Sequence, residues 1–278
     1  MVDRADLTRR LRSEARREGF DAVGIARAER LDRDAEALAA WLRSDYQAAM
    51  AWMERDPDKR SDPRLLLEGC KSVIVVAMNY WPDAEHAATR PGRAAVALYA
   101  RGRDYHKVMG RRLTRLSEWL ETESAKPSRP FVDTAPVLER GWAERSGLGW
   151  IGKNANLLTR DLGSWVLLGE ILSAAELDAD HPHADFCGTC RACIDGCPTG
   201  AILESGVVDS NRCISYWTIE HRGPIPEERR RTIADWIFGC DDCQTVCPWN
   251  QTFARPRDDD PFDLRDDLQG LDAEAILA

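Results

Sequence analysis

Cys187-Gly-Thr-Cys190-Arg-Ala-Cys193-Ile-Asp-Gly-Cys197-Pro198 and Cys240-Asp-Asp-Cys243-Gln-Thr-Val-Cys247-Pro248 decide how this chain is organised. The first run reads C-x2-C-x2-C-x3-C-P. The second ends in the same C-x3-C-P, and the distant Cys213 replaces the cysteine expected three residues before Cys240. A [4Fe–4S] cube needs four thiolates. Short loops supply three, and in two-cluster proteins the cysteine before proline serves the other cube. The spacing therefore assigns Cys187, Cys190, Cys193 and Cys247 to one cluster, and Cys197, Cys213, Cys240 and Cys243 to the other. Two other chemistries use cysteine pairs. Zinc takes C-x2-C, but paired C-x3-C-P endings are not a zinc-ribbon pattern. Disulfides need an oxidising compartment. Cys70 stands outside the pattern, before the apolar run Val73 to Ala77, and reads as a small core residue.

Outside this module lies a chain too long to be an electron carrier alone. Its 278 residues have room for one large domain or two modest ones, and 44% hydrophobic content supports a sizeable core. The charged start, MVDRADLTRRLRSEARREGF, has no apolar signal core. No apolar run approaches the ~20 residues of a membrane span. A soluble cytoplasmic monomer with reduced thiols and no membrane association is expected. The net charge of -9 argues against a nucleic-acid partner. Locally the balance reverses: Arg101, Arg103, Lys107, Arg111, Arg112 and Arg115 face one acid, Asp104. Such a stripe reads either as a solvated helix face or as a phosphate contact.

Periodicity predicts helices over 4–17, 35–42, 47–55 and 105–121, and strands over 22–25, 72–78, 94–99 and 131–132. A further helix is expected from Val137. Residues 156–159 and 164–173 read as a hairpin about Asp161-Leu162-Gly163. The alternation predicts a mixed α/β core over 1–180, with the two-cluster, ferredoxin-like module appended over 181–255. Residues 256–278 read as the start of a truncated C-terminal helical region, because the amphipathic stretch from Leu268 carries no stop signal.

Two segments outside the module carry chemistry. Phe131-Val132-Asp133-Thr134-Ala135-Pro136 places a carboxylate at a strand end, where ligands collect in α/β folds. A carboxylic acid buried there keeps its proton and can donate it. Equally, Asp133 could cap the following helix. Gly147 to Asn154, GLGWIGKN, combines glycines that admit a close ligand with donors on Lys153 and Asn154, or is simply a tight turn. Asp104-Tyr105-His106 is close to the cobalamin signature D-x-H-x-x-G, but the next glycine, Gly110, comes one residue too late, so His106 reads as an ordinary surface or pocket residue.

Together YARGRDYHKVM (99–109), FVDTAPVLER (131–140), SGLGWIGKN (146–154), CGTCRACIDGCPTGAI (187–202), CISYWTIEH (213–221) and GCDDCQTVCPWN (239–250) resemble the epoxyqueuosine reductases of queuosine biosynthesis. The resemblance implies a corrinoid-binding core. It implies reduction of epoxyqueuosine at the tRNA wobble position by cobalamin cycling between cob(II)alamin and cob(I)alamin. Electrons would come through the two clusters from an external flavodoxin- or ferredoxin-type donor. It makes Asp133 the proton donor to the departing oxygen. It also implies corrinoid contacts from Arg60, Asp133, Lys153, Asn154, Ser164, Ser215, Tyr216 and Asp241, and favours tRNA phosphates as partners of the basic stripe. Two rivals stand beside it. One is an electron-transfer protein without a tRNA substrate. The other is a corrinoid reductase of the reductive-dehalogenase type, for which Arg9-Arg10 and Arg16-Arg17 lack a following apolar leader. Many family members continue into a C-terminal repeat domain, and its absence would leave tRNA held differently.

Overall fold

The computed structural model describes residues 3–89, 92–257, 259, 261–265, 268, 270 and 271. Its strands are β1 (Ala22–Arg27), β2 (Ser72–Asn79), β3 (Ala95–Val96), β4 (Ser128–Phe131), β5 (Trp150–Ile151), β6 (Leu157–Leu158), β7 (Val166–Ser173), β8 (Ile202–Glu204), β9 (Val207–Val208) and β10 (Trp236–Phe238). Its helices are α1 (Arg4–Arg17), α2 (Asp32–Arg43), α3 (Pro57–Ser61), α4 (Ala84–Ala87), α5 (Tyr105–Ser124), α6 (Glu139–Arg145), α7 (Ala192–Asp195), α8 (Glu227–Ile233), α9 (Asp242–Thr245) and α10 (Pro248–Phe253).

Strand β2 organises the core. All eight of its residues are buried, as its β-branched, apolar sequence requires. It lies inside the four-stranded sheet β1-β2-β7-β4, whose pairs are all antiparallel. Alternation sends Ile74, Val76 and Met78 to one face, with Leu7, Leu11 and Ala15 of α1 and Met109, Leu113, Leu116 and Leu120 of α5. Val73 and Val75 face the other way, with Leu31, Trp142 and Ala143 at α2 and α6. The result is a mixed α/β core with helices on both faces.

Local chemistry sets the helix ends. Asp3 caps α1 by accepting from Ala5 N at 3.2 Å. Gly19 follows the other end at φ 85°, a left-handed turn that glycine adopts without strain. Asp104 caps α5 by accepting from His106 N at 3.0 Å.

Several predicted elements change. In place of a helix over 47–55 there are turns through left-handed Asp45 and Ala48, then a single 3-10 turn at Ala51–Glu54. The strand predicted at 94–99 is only Ala95–Val96, paired in parallel with β10. Leu98 N is captured by the Asp241 carboxylate at 2.7 Å, and the chain turns away. The hairpin predicted about 161–163 does not form, apart from a Thr159–Gly163 bridge. Leu157–Leu158 pairs back with Trp150–Ile151, and β7 joins β2 across all eight residues. The longer apolar edge wins because it buries more surface and completes more ladder bonds. The amphipathic stretch predicted from Leu268 lies mostly outside the described residues. No described helix is long and apolar enough to cross a membrane.

Candidate active site

Strand β4 ends at Phe131 and delivers Asp133 on a loop in the left-handed region, φ 56°. The helix-cap reading fails at the start of α6. Its N-cap is Leu138, with no side-chain cap bond, so Asp133 caps nothing there. The carboxyl points outward and is 56% exposed, which corrects the expectation of burial. Its Oδ2 lies 3.0 Å from His106 Nε2. His106 Nδ1 lies 2.9 Å from Asp104 Oδ1. Both ring nitrogens thus face carboxylates, and only the imidazolium donates to both. Burial pulls the His106 pKa down, but the hydrogen bonds and charges of Asp133 and Asp104 outweigh it, and the net shift is upward. Tyr105 stacks on the imidazole with centroids 4.0 Å apart. Burial and the neighbouring Asp133 charge push its hydroxyl up, so it stays protonated.

Behind the loop, Asp133 N donates to Glu139 Oε1 at 2.7 Å. Glu139 in turn meets Glu170, which pairs in register with Phe131 across β4 and β7 and is 0% exposed.

The cysteines form two groups. A cavity of about 70 Å³ is lined by Cys187, Cys190, Cys193 and Cys247 with Lys153 and Trp249. Trp150 Nε1 donates to Cys187 Sγ at 3.4 Å, and Lys153 Nζ donates to the carbonyls of Gly188 and Cys190 at 2.6 and 2.8 Å. In the second group, burial raises the Cys213 and Cys243 thiols, and charge on Cys197 raises both further. Ala201 N donates to Cys197 Sγ at 3.3 Å. The one-turn helices α7 and α9 carry the two C-x3-C-P endings. All nine cysteines are free, which excludes disulfides between them. Among the described residues no three His, Cys, Asp or Glu side chains close on a single ion. Zinc would draw its thiolates to about 3.8 Å of one another, given its 2.3 Å bonds. A cube holds each thiolate on a separate iron, so its ligands stand farther apart. The donor set fits two cubes. Cys70 is buried as expected, with its thiol pushed up to about 11 by burial.

The residues expected to touch a corrinoid are scattered, and most are engaged within the protein. Arg60 is buried, donates to the carbonyls of Arg55 and Trp52, and lies over the Trp52 ring. Lys153 serves the first cysteine loop, as above. Asn154 Nδ2 donates to Cys243 O at 3.2 Å. Ser164 bonds with Asn250 and Gln244. Tyr216 accepts from Ala49 N at 3.1 Å. Asp241 is buried, which pushes its carboxyl up to about 6. Ser215 is half-buried. Among the described residues five buried side-chain atoms lack partners: the acceptor Gln47 Oε1, the donors Arg101 Nη2 and Trp165 Nε1, and both Glu170 carboxyl oxygens. Gln47 belongs to the segment that binds Ser210 and Tyr216 through Tyr46 and Ala49. The Arg101 guanidinium feels the charge of Asp241. The unmet acceptor of Gln47 and the unmet donor of Arg101 fit a ligand rimmed with carboxamides, as a corrinoid is. Burial raises the Tyr99 hydroxyl, and the charges of both Asp241 and Asp133 raise it further, so both carboxyls lie within reach of it.

The basic stripe is largely neutralised. Arg101 is 2% exposed and donates to Val96 O and His86 O at 2.8 and 2.9 Å, so no phosphate reaches it. Arg112 pins the end of α1 through Glu18 O and Gly19 O. Arg115 pairs with Glu18, Arg103 with Asp263 and Lys107 with Asp104. Of the six, Arg111 alone is exposed without an ion pair among the described residues.

Sequence reading missed three site residues: His106, Glu139 and Glu170. The near-signature at 104–106 led away from His106. Glu170 left a usable trace, since it is the one charge in the apolar run Val166 to Leu172.

Residues 60–134 match the family model described as epoxyqueuosine reductase QueG, DUF1730. Residues 186–250 match a 4Fe-4S double cluster binding domain. Epoxyqueuosine reductases from Cellulophaga algicola and Gloeobacter violaceus are 45% and 47% identical to the chain. These matches cover 94% and 86% of the chain, and 84% and 75% of the relatives. A crystal structure of epoxyqueuosine reductase with an epoxyqueuosine-modified tRNA-Tyr stem loop superposes with TM-score 0.91 at 31% identity. It covers 98% of this chain and 72% of that one. A Bacillus subtilis epoxyqueuosine reductase, TM-score 0.86 and 31% identical over 94% of this chain and 70% of its own, has its catalytic aspartate loop swung out of the active site. The catabolic reductive dehalogenase NpRdhA, 16% identical with TM-score 0.55 over 91% of this chain and 33% of its own, shares the fold.

Proposed function

The chain belongs to the epoxyqueuosine reductase family, and from that premise we propose that it reduces the epoxide of epoxyqueuosine in tRNA to the alkene of queuosine. Removing the epoxide oxygen as water takes two electrons and two protons. The residues supply the means for both. Cys187, Cys190, Cys193 and Cys247 hold one cluster, and Cys197, Cys213, Cys240 and Cys243 the other, fed by an external flavodoxin- or ferredoxin-type donor in the cytoplasm. Gln47, Arg101, Ser215, Tyr216 and Asp241 would hold a corrinoid. When bound, the corrinoid supplies the electron pair that cleaves the C–O bonds.

The observation that carries the reading is the hydrogen-bonded chain Asp104–His106–Asp133, which ends on the exposed Asp133 carboxyl. One proton sits between His106 Nε2 and Asp133 Oδ2. Asp104 fixes the ring, so His106 restores the proton that Asp133 gives to the departing oxygen. Tyr99 and Tyr105 form an aromatic wall, centroids 6.1 Å apart, beside the acid. By analogy with the swung-out loop of the Bacillus subtilis enzyme, the Asp133 loop also moves in this chain.

In the test, the clusters are reconstituted anaerobically, and the protein is given cobalamin, a strong reductant and tRNA carrying epoxyqueuosine. Nucleoside analysis is expected to show queuosine. No queuosine from protein with both clusters and corrinoid bound would reject the reading.

For the RNA contact, Arg111 replaces the full stripe. Arg111→Glu is expected to weaken tRNA binding and to flatten the slope of log affinity against log salt by about one. An unchanged slope would leave α5 a solvated face. Reversing Arg112 is uninformative, because it would unpin α1.

A further inference from the structure

Glu170 is a carboxyl group in the wrong place for a charge. It sits inside the sheet, fully buried, and neither oxygen meets a conventional donor. Its hydrogen-bonding neighbour is another carboxyl, Glu139, and the Asp133 charge also reaches it. Two carboxylates in contact there would repel without compensation. One proton between them removes the conflict. The arrangement also says which group holds it. Glu139 accepts from Asp133 N at 2.7 Å, a bond that favours its charged form. Glu170 has no donor to stabilise a charge. Glu170 is therefore the acid, and Glu139 the carboxylate that accepts from Glu170 on one side and Asp133 N on the other.

We propose that Glu170 and Glu139 form a two-carboxyl latch that holds the catalytic Asp133 loop in the left-handed conformation seen here. The proposal rests on the role of Asp133 above. Neither glutamate touches the reacting atoms. Both are positioning residues, acting through the Asp133 backbone. The latch ties the loop to β7, a strand of the rigid sheet, through bonds that break when the loop swings out. The burial cost of the pair is thereby linked to loop position, which a cap or a packed aliphatic side chain would not achieve.

The electrostatics give the latch a sign with pH. Burial raises Glu139 to about 7, and burial and the Glu139 charge raise Glu170 well above the carboxylate range. The groups facing the pair are Asp133, Arg140 and, beyond Asp133, Tyr105 and His106. The bond from Asp133 N favours ionised Glu139, so closing the loop releases a proton from it. The closed loop is therefore favoured as pH rises through about 7.

Hydrogen exchange of the peptide spanning 131–136, on protein with its clusters, reads the latch without substrate or corrinoid. Glu170→Leu keeps the volume but removes the donor. It is expected to leave the melting temperature unchanged or raised, since a buried carboxyl is gone. The Asp133 amide should nevertheless exchange faster, and turnover should fall on the order of 10–10²-fold, mainly in kcat. Glu170→Gln restores an N–H donor and should restore both. In wild type, exchange protection corrected for intrinsic rate should rise through about pH 7, and Glu139→Gln should flatten that rise. If Glu170→Leu does not fold, Glu139→Ala decides, with fast exchange expected. Unchanged loop exchange in Glu170→Leu or Glu139→Ala, or a Gln variant as impaired as the Leu variant, would overturn the latch. Failure of the reductase reading would show instead as no queuosine from any variant, with the exchange pattern intact.

Discussion

Asp133→Asn is expected to lower turnover of epoxyqueuosine by ~10²–10⁴, the usual contribution of a positioned acid. Asparagine keeps the volume of the side chain and an oxygen that can accept from His106 Nε2. It cannot hold a transferable proton. The backbone bond to Glu139 is unaffected, because the donor is Asp133 N and not the carboxyl. Left-handed φ is also tolerated by asparagine, so the loop carries no new strain. Cluster spectra and corrinoid binding should therefore persist while chemistry fails. The competing account, a helix cap, has no support at the start of α6. Near-normal turnover by the Asn variant, with cofactors bound, would remove the acid role from Asp133 and leave His106 or Tyr105 to supply the proton.

Cys190→Ser is expected to remove one cluster and, with it, all reduction. Intact protein prepared without oxygen should hold roughly eight irons, from two cubes. The variant should hold roughly half. Cys190 is the exposed member of its group, so its replacement perturbs the loop more than the core. The second group should survive, because Cys197, Cys213, Cys240 and Cys243 are held by separate segments. An electron path through both clusters predicts that the half-loaded protein forms no queuosine from an external donor. Stoichiometric zinc with negligible iron in the wild-type protein would reject the ligand assignment altogether.

The cysteine module was legible because metal ligation demands residues of one type at fixed spacing, and Cys187 to Cys247 meet that demand in one reading. Strand β2 was legible for a similar reason: Ser72 to Asn79 is buried on both faces, and only an unbroken apolar run suits that position. The partners of β7 were not legible. A strand's sequence shows which of its faces are apolar and leaves open which edge it joins, so proximity wrongly suggested residues 156–159. The chemistry around Asp133 was half visible. A carboxylate after a strand stood out, but its partners come from α5, α6 and β7, far away in sequence. The basic stripe misled because charge on a helix does not reveal which side chains point inward. Arg101 and Arg112 answer carbonyls at the end of a strand and of a helix, which composition cannot foresee.

The most direct test counts products against electrons. Protein holding both clusters and corrinoid is reduced anaerobically by a measured number of equivalents, separated from reductant, and mixed with excess tRNA carrying epoxyqueuosine. The account predicts one queuosine for every two electrons lost from the protein, formed ~10²–10⁴ more slowly by Asp133→Asn. Reoxidation of the clusters without queuosine would contradict it and identify the chain as an electron carrier.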